Sequence, residues 1–362
     1  MTPRRIAYVV RVFPKLSETF IANELAELRR RGIEVRIFSV CEPMEELRHG
    51  VIARAGLAER TVYDRQRFPE LLQEFKPDLV HAHFATKATA VGRRLADKFK
   101  LPFTFTAHRY DIYDKAPADF AERAAAARAV ITVSEANLRY IVENFGVPEN
   151  KIHVIPCGVD TARFRPGGEP GDPPHIVCVA RLARCKNQRL LLEACALLQA
   201  RGMNFHCVLI GDGPCRAELD RLRKQLGLVP LVEMVGAAEQ DEVLAWWQRA
   251  TIAVLSSESE GMPVSLMEAG ACGVPVVATA VGGVPELIAN GVTGIVTPAG
   301  SASALAEALE RLLRNRELAA RMGAAARRRV ETQFSLARQV DNLLSLWGHL
   351  LNGGTARGHT DN

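Results

Sequence analysis

Short apolar runs alternate with longer amphipathic stretches along the whole chain. Ile6–Val12 reads as a strand, the stretch from about Glu18 to Arg31 as a helix, and Val35–Val40 as the next strand. This is the rhythm of a parallel sheet covered by helices on both faces. It continues at Leu79–His83, Phe103–Thr106, Ala129–Val133 and Ile152–Ile155. A second series opens at His175–Ala180 and runs through Phe205–Ile210, Val232–Val235, Ile252–Leu255, Val274–Ala278 and Gly294–Thr297. Between the series, Pro166–Pro174 is a Pro, Gly and acidic run that holds neither a helix nor a central strand. The pattern predicts an α/β chain with two doubly wound domains, 1–165 and 175–334, and a linker at 166–174. Helical periodicity then continues to Leu351 with a break near Thr332–Ser335, giving a last helix over 335–352 whose Leu343, Leu344, Leu346, Trp347 and Leu350 form an apolar face. Residues 353–362 are polar and Gly-rich, which predicts a disordered tail. The segment Cys41–Arg67 carries no assignable pattern.

Composition narrows the class. The chain has 362 residues, 48% hydrophobic and 24% charged, enough for two cores. A formal net charge of +5 is mild, and no nucleic-acid partner is expected from it. Arg11 interrupts the first apolar run too early for a secretory leader, and no apolar stretch is long enough to span a bilayer. The eight cysteines include no C-x-x-C pair and read as reduced core residues of a cytoplasmic protein.

The chemistry concentrates around Glu260-Gly261-Met262-Pro263-Val264, where a loop carboxylate precedes a helix predicted over Pro263–Cys272, with Glu268 about two turns along it. A helix starting there aims free N–H groups at whatever lies before it, as an anion or a sugar hydroxyl requires. Arg181 and Lys186 follow the first strand of the second domain, where a parallel strand's carboxyl end opens onto a ligand site. Gly211-Asp212-Gly213 and Gly236 form tight turns after strands. In the first domain His108 and Asp111 follow a strand, and Ser17 or Glu18 is placed to cap the first helix. His81 and His83 share one strand face, but no third ligand has metal-site spacing, so they read as satisfied sheet-end histidines.

Together, Glu260 and Glu268 separated by seven residues, Gly-Met-Pro after the first, Glu-Ala-Gly-Ala around the second and Gly273-Val274-Pro275-Val276-Val277-Ala278-Thr279 downstream resemble the donor half of family 4 glycosyltransferases. Arg181-Leu182, three residues, then Lys186-Asn187, and His108-x-x-Asp111, fit the same pattern. Where many members carry Gly-Gly after the first strand, this chain has Ser17-Glu18-Thr19-Phe20, which resembles the colanic-acid and amylovoran branch that builds exopolysaccharides. The resemblance implies the GT-B architecture, two Rossmann-like domains facing across a cleft, with the last helix crossing back to the first domain. It implies a retaining hexosyltransferase with a nucleoside diphosphate sugar as donor and a glycan or lipid-linked saccharide as acceptor. Arg181 and Lys186 would meet the diphosphate, Glu260 the hexose and Glu268 the ribose, with Gly261, Met262, Pro263, Val264, Gly211, Gly213 and Gly236 near the donor. His108 would lie near the transferred sugar, and Asp111, Ser17 and Glu18 on the acceptor side. No Asp-x-Asp occurs, so neither a metal nor a cofactor is expected. Basic groups at Arg29–Arg31, Arg93–Arg94 and Lys98–Lys100 suggest weak peripheral contact with an anionic membrane face. A nucleotide-sugar epimerase of similar build and a non-catalytic sugar-nucleotide sensor remain alternatives.

Overall fold

The computed structural model describes residues 2–44 and 49–353 and divides into two compact units, one of Met1–Gly158 with Leu336–Asn362 and one of Val159–Ser335. The first unit holds strands β1 (Arg5–Val12), β2 (Glu34–Cys41), β3 (Thr61–Val62), β4 (Leu79–His83), β5 (Phe103–Ala107), β6 (Ala129–Thr132) and β7 (Ile152–Val154). They form one sheet in the order β3-β2-β1-β4-β5-β6-β7, every pair parallel. The two-residue period of the strands sorts β1: Ala7 and Val9 face one layer, with Val80, Ala82, Phe103 and Phe105, while Ile6, Tyr8 and Val10 face the other. That second layer contains helices Thr19–Arg30 and Leu336–Leu351, so the last helix belongs to the first unit's core. Trp347 is fully buried there, its Nε1 donating to Thr104 Oγ1 at 3.2 Å.

The second unit holds β8 (His175–Val179), β9 (His206–Ile210), β10 (Val232–Gly236), β11 (Ile252–Leu255), β12 (Val276–Thr279) and β13 (Gly294–Thr297), again all parallel, in the order β10-β9-β8-β11-β12-β13. Both sheets reverse direction of growth beside their first strand, at β1/β4 and at β8/β11. The carboxyl ends at such reversals are where open α/β sheets hold ligands.

Several expectations change. The Pro-Gly run at 166–174 is not the boundary but an arm of the second unit. It lies along helix Gln240–Arg249, where Gln248 Nε2 donates to Arg165 O at 3.1 Å and Gly171 N–H to Arg249 O at 2.9 Å. The division falls instead at Gly158/Val159 and Ser335/Leu336. β12 starts at Val276, because Pro275 has no N–H to give the ladder. The unassigned segment holds a short helix, Gly50–Arg54, and the edge strand β3. A second break, at Asn315, splits the C-terminal helical region, its side chain accepting from Leu318 N–H at 2.9 Å. The expected tail lies outside the described residues, apart from Gly353. Among the described residues no helix is long and apolar enough to cross a membrane.

Candidate functional site

In the second unit the loops after β8 and β11 are tied together. Ser256 Oγ donates to Asn187 O at 2.8 Å, Glu258 N–H to Cys185 O at 2.9 Å, and Asn187 Nδ2 to Glu258 Oε1 at 3.0 Å. This brings Lys186 to Glu260: Nζ and Oε1 are 2.6 Å apart, and Ser257 Oγ donates to the same oxygen at 2.6 Å. The Glu260 side chain is 5% exposed and that of Lys186 23%, so the ammonium faces solvent on one side and a buried carboxylate on the other. Arg181 stands exposed on the same loop, and its carbonyl accepts from Gln188 Nε2 at 3.0 Å. Gln188 and Ser257 thus support the loops, a role no sequence motif signals.

Helix Val264–Ala271 starts directly after Gly261, Met262 and Pro263, all buried; Val264 and Ser265 remain partly exposed at its first turn. Glu268 is buried on this helix, and burial pushes its carboxyl up to about 7, against the pull of Trp247, Arg163 and Gln240. Trp247 Nε1 and Gln240 Nε2 are themselves buried without completing a hydrogen bond. Both nevertheless lie close enough to favour the ionised carboxylate. Gly211 and Gly213 answer a need of the chain itself: a Cβ at Gly211 would lie 2.1 Å from Ala180 O, and one at Gly213 2.4 Å from Leu182 O. Their lack of side chains lets the β9 loop pack on the Arg181 loop. Gly236 continues this layer, its carbonyl accepting from Gly211 N–H at 2.7 Å.

In the first unit, His108 follows β5 and opens a π-helical turn, Tyr110–Asp114. Asp111 is fully buried, accepting the N–H groups of Ala85 and of His108, the latter at 2.9 Å. Burial pushes its carboxyl up to about 7, although those N–H groups favour the anion. The structure therefore places Asp111 beneath the His108 turn as its anchor, not on an acceptor-facing surface. The His108 ring is clamped by Phe20 and Phe84, centroids 4.8 and 4.6 Å away, and its Nε2 lies 3.1 Å from His83 Nδ1. Burial, then His83, holds its pKa well below the usual histidine value. Ser17 is exposed, whereas Glu18 pairs with Lys15 at 2.5 Å and its side chain makes no capping bond, so the expected cap is not formed.

The reading of His81 and His83 changes in part. Helix Thr19–Arg30 brings Glu24 to them, and donor atoms of Glu24, His81 and His83 lie within 4.8 Å of one another. Sequence spacing could not show this third group, though Glu24 falls on the stripe of Ile21, Leu25 and Leu28, where a carboxylate on a buried face is itself a signal. His81 nonetheless has both ring nitrogens engaged, by Thr104 Oγ1 at 2.9 Å and Thr106 Oγ1 at 3.2 Å. The basic groups also differ from expectation. Arg30 and Arg31 are paired with Glu27, and Arg31 also with Asp341, so this triplet is not a free cationic face. Arg94 and Lys98 instead join Arg65 along an open groove of about 580 Å³.

Two parallel, doubly wound units whose strand order reverses at β1/β4 and β8/β11 have the build of the GT-B class of glycosyltransferase fold. Two family models meet end to end on the chain, Glycosyltransferase Family 4 over residues 17–163 and Glycosyl transferases group 1 over residues 159–329. The protein belongs to the family 4 glycosyltransferases. A Salmonella typhimurium protein named, provisionally, as a colanic acid biosynthesis glycosyltransferase is 36% identical over 56% of this chain and 53% of its own, so the chain spans about half the length of that relative. The amylovoran biosynthesis glycosyltransferase of Erwinia amylovora is 27% identical over 91% of this chain and 96% of its own. Among solved structures, a Rickettsia africae glycosyltransferase matches with a TM-score of 0.79 at 20% identity, covering 97% of this chain and 99% of that one. Anabaena HepE in complex with UDP-glucose matches with a TM-score of 0.73 at 19% identity, covering 94% and 99%.

Proposed function

We propose that the protein is a retaining glycosyltransferase of exopolysaccharide synthesis, moving a hexose from a nucleoside diphosphate sugar to a hydroxyl of a growing, lipid-linked glycan. The observation that supports this reading is the Lys186–Glu260 pair at the carboxyl ends of β8 and β11, a cation and a carboxylate held 2.6 Å apart, which suits a diphosphate beside a hexose. Lys186 and Arg181 take the charge that grows on the leaving diphosphate, helped by the N-terminus of helix Val264–Ala271. Glu260 holds hexose hydroxyls and Glu268 the ribose. The bond from C1 to the phosphate oxygen breaks while the acceptor oxygen bonds C1 on the same face, and the acceptor proton passes to that leaving oxygen. No protein nucleophile enters, so the protein contributes positioning and electrostatics, and no metal is needed. The amylovoran and colanic-acid relatives support the exopolysaccharide assignment, and a nucleotide-sugar complex of a fold neighbour supports the donor class.

The test is a screen of nucleotide sugars, with and without EDTA, for thermal stabilisation and for release of nucleoside diphosphate when lipid-linked glycan is added. One donor stabilising the protein and turning over with retention, undiminished by EDTA, is the expected result. Free epimerised donor without acceptor would replace this reading with the epimerase, and stabilisation without turnover on any acceptor would replace it with the sensor.

A further inference from the structure

The hydrogen bonds behind His108 form a chain whose proton positions can be counted from one end. Gln339 Oε1 accepts Gly158 N–H at 2.7 Å, which turns its amide so that Nε2 donates to Glu24 Oε2 at 2.6 Å. Tyr8 donates its hydroxyl to Glu24 Oε1 at 2.7 Å, and burial with the neighbouring Glu24 keeps that phenol protonated. With two donors converging on it, Glu24 acts as acceptor, and His83, 3.0 Å away through Nε2, donates to it from that nitrogen. If that is the only proton on the His83 ring, its lone pair sits on Nδ1 and His108 donates from Nε2 across the 3.1 Å contact. The remaining nitrogen of His108, Nδ1, hydrogen-bonds to nothing among the described residues, and the residue as a whole keeps 8% of its surface exposed. Beside this chain of groups lies a cavity of about 10 Å³ lined by Glu24, His83, His108 and Gln339, room for one water and no sugar.

We propose that Glu24 and His83 are positioning residues. They lock His108 as the neutral Nε2–H tautomer, so that Nδ1 meets the substrates as a hydrogen-bond acceptor for a hydroxyl. The identity of that hydroxyl, on the hexose or the acceptor, rests on the glycosyl-transfer reading; the lock does not. A metal held by Glu24, His81 and His83 is the competing use of the same atoms, and it would have to displace the Tyr8, Gln339 and threonine bonds that now satisfy them.

Two measurements decide. In protein labelled with ¹⁵N-histidine, long-range proton–nitrogen spectra at pH 7 report which nitrogen of each ring carries the proton, with no need of turnover. Both His83 and His108 are expected as Nε2–H; a proton on His108 Nδ1, or stoichiometric transition metal in the purified protein, overturns the proposal. The second compares His83→Leu, which removes the acceptor, with His83→Asn, whose amide oxygen takes the place of Nδ1. Leu is expected to lower kcat about ten- to a hundredfold, as loss of an orienting partner does, with donor KM nearly unchanged, and Asn to restore most of it. Equal activity of two folded variants overturns the proposal. If Leu does not fold, the spectra decide alone. If the unmodified protein turns over no nucleotide sugar, the functional reading fails and the spectra still report on the lock.

Discussion

Lys186 and Glu260, 74 residues apart in the chain, form a 2.6 Å ion pair whose carboxylate is almost fully buried and whose ammonium is not. The pair leaves two of the lysine's three protons for a ligand while fixing where its charge sits. Charge fixed before reaction stabilises a transition state without the cost of reorganising it.

Replacing Lys186 by Ala is expected to lower kcat about a hundredfold while changing donor KM little, because its charge matters most as the bond to phosphate breaks. The variant is also expected to lose about 1–3 kcal/mol of stability, since Glu260 keeps only Ser257. Steady-state kinetics and urea unfolding separate the two effects. Near-normal kcat in a folded variant removes Lys186 from the mechanism.

Glu268 gives a pH dependence of known sign. Its carboxyl stands at about 7 in the fold against an ordinary 4.5, so the folded state holds the proton more tightly. The stability this contributes is complete below about 4.5 and is lost as pH rises through about 7. Glu268→Gln removes that term and is expected to gain stability relative to the native protein between pH 5 and 8. Ribose hydroxyls favour the ionised form, so donor affinity should rise with pH up to about 7 and then level off. In Glu268→Gln, titrated with an intact nucleotide sugar, the affinity should be weaker and flat. A native affinity independent of pH from 5 to 8 would remove the ribose role.

Gly282 sits under the same site. Its φ is +50°, and a Cβ there would fall 1.7 Å from Glu260 O. Gly282→Ala must move the backbone of Glu260, and Lys186 loses its partner's position. We expect activity reduced by at least as much as in Lys186→Ala, with the first unit's unfolding transition unchanged. Normal kcat would show that the loop can shift without consequence.

The basic groove of Arg65, Arg94 and Lys98 replaces Arg29–Arg31 as the candidate for membrane contact. Near an anionic surface each cation is worth about 1 kcal/mol. Weak, salt-reversible binding to anionic vesicles is expected, reduced by Arg94→Gln with Lys98→Gln. Equal partitioning to neutral vesicles, or none at low salt, would leave the groove without this role.

The strands were readable because each is a buried apolar run, and the helix from Thr19 because Ile21, Leu25 and Leu28 recur at helical spacing. β3 was not, since two half-buried residues at a sheet edge have no period to show. The unit boundary was misplaced for a physical reason: proline and glycine forbid regular structure, but they do not forbid packing, and the 166–174 arm packs against Gln248. At the site, the types and loops of Lys186, Glu260 and Glu268 were legible from local motifs. Their partners were not: Trp247 and Gln240 meet Glu268 only after the sheet has formed, and Ser257, three residues before Glu260, belongs to no motif that signals its bond. Asp111 shows the converse error, a motif residue whose carboxylate the fold spends on backbone N–H groups.

Gln339 and Trp347 complete the core around Glu24 and Thr104, yet both are encoded near the end of the chain. During synthesis the first unit therefore emerges lacking one helix of its own layer. It must wait, with Glu24 and Thr104 lacking these partners, until the whole second unit has been made. A fragment ending at Gly158 should be a poor folder for the same reason, and adding residues 336–351 as a separate peptide should rescue it.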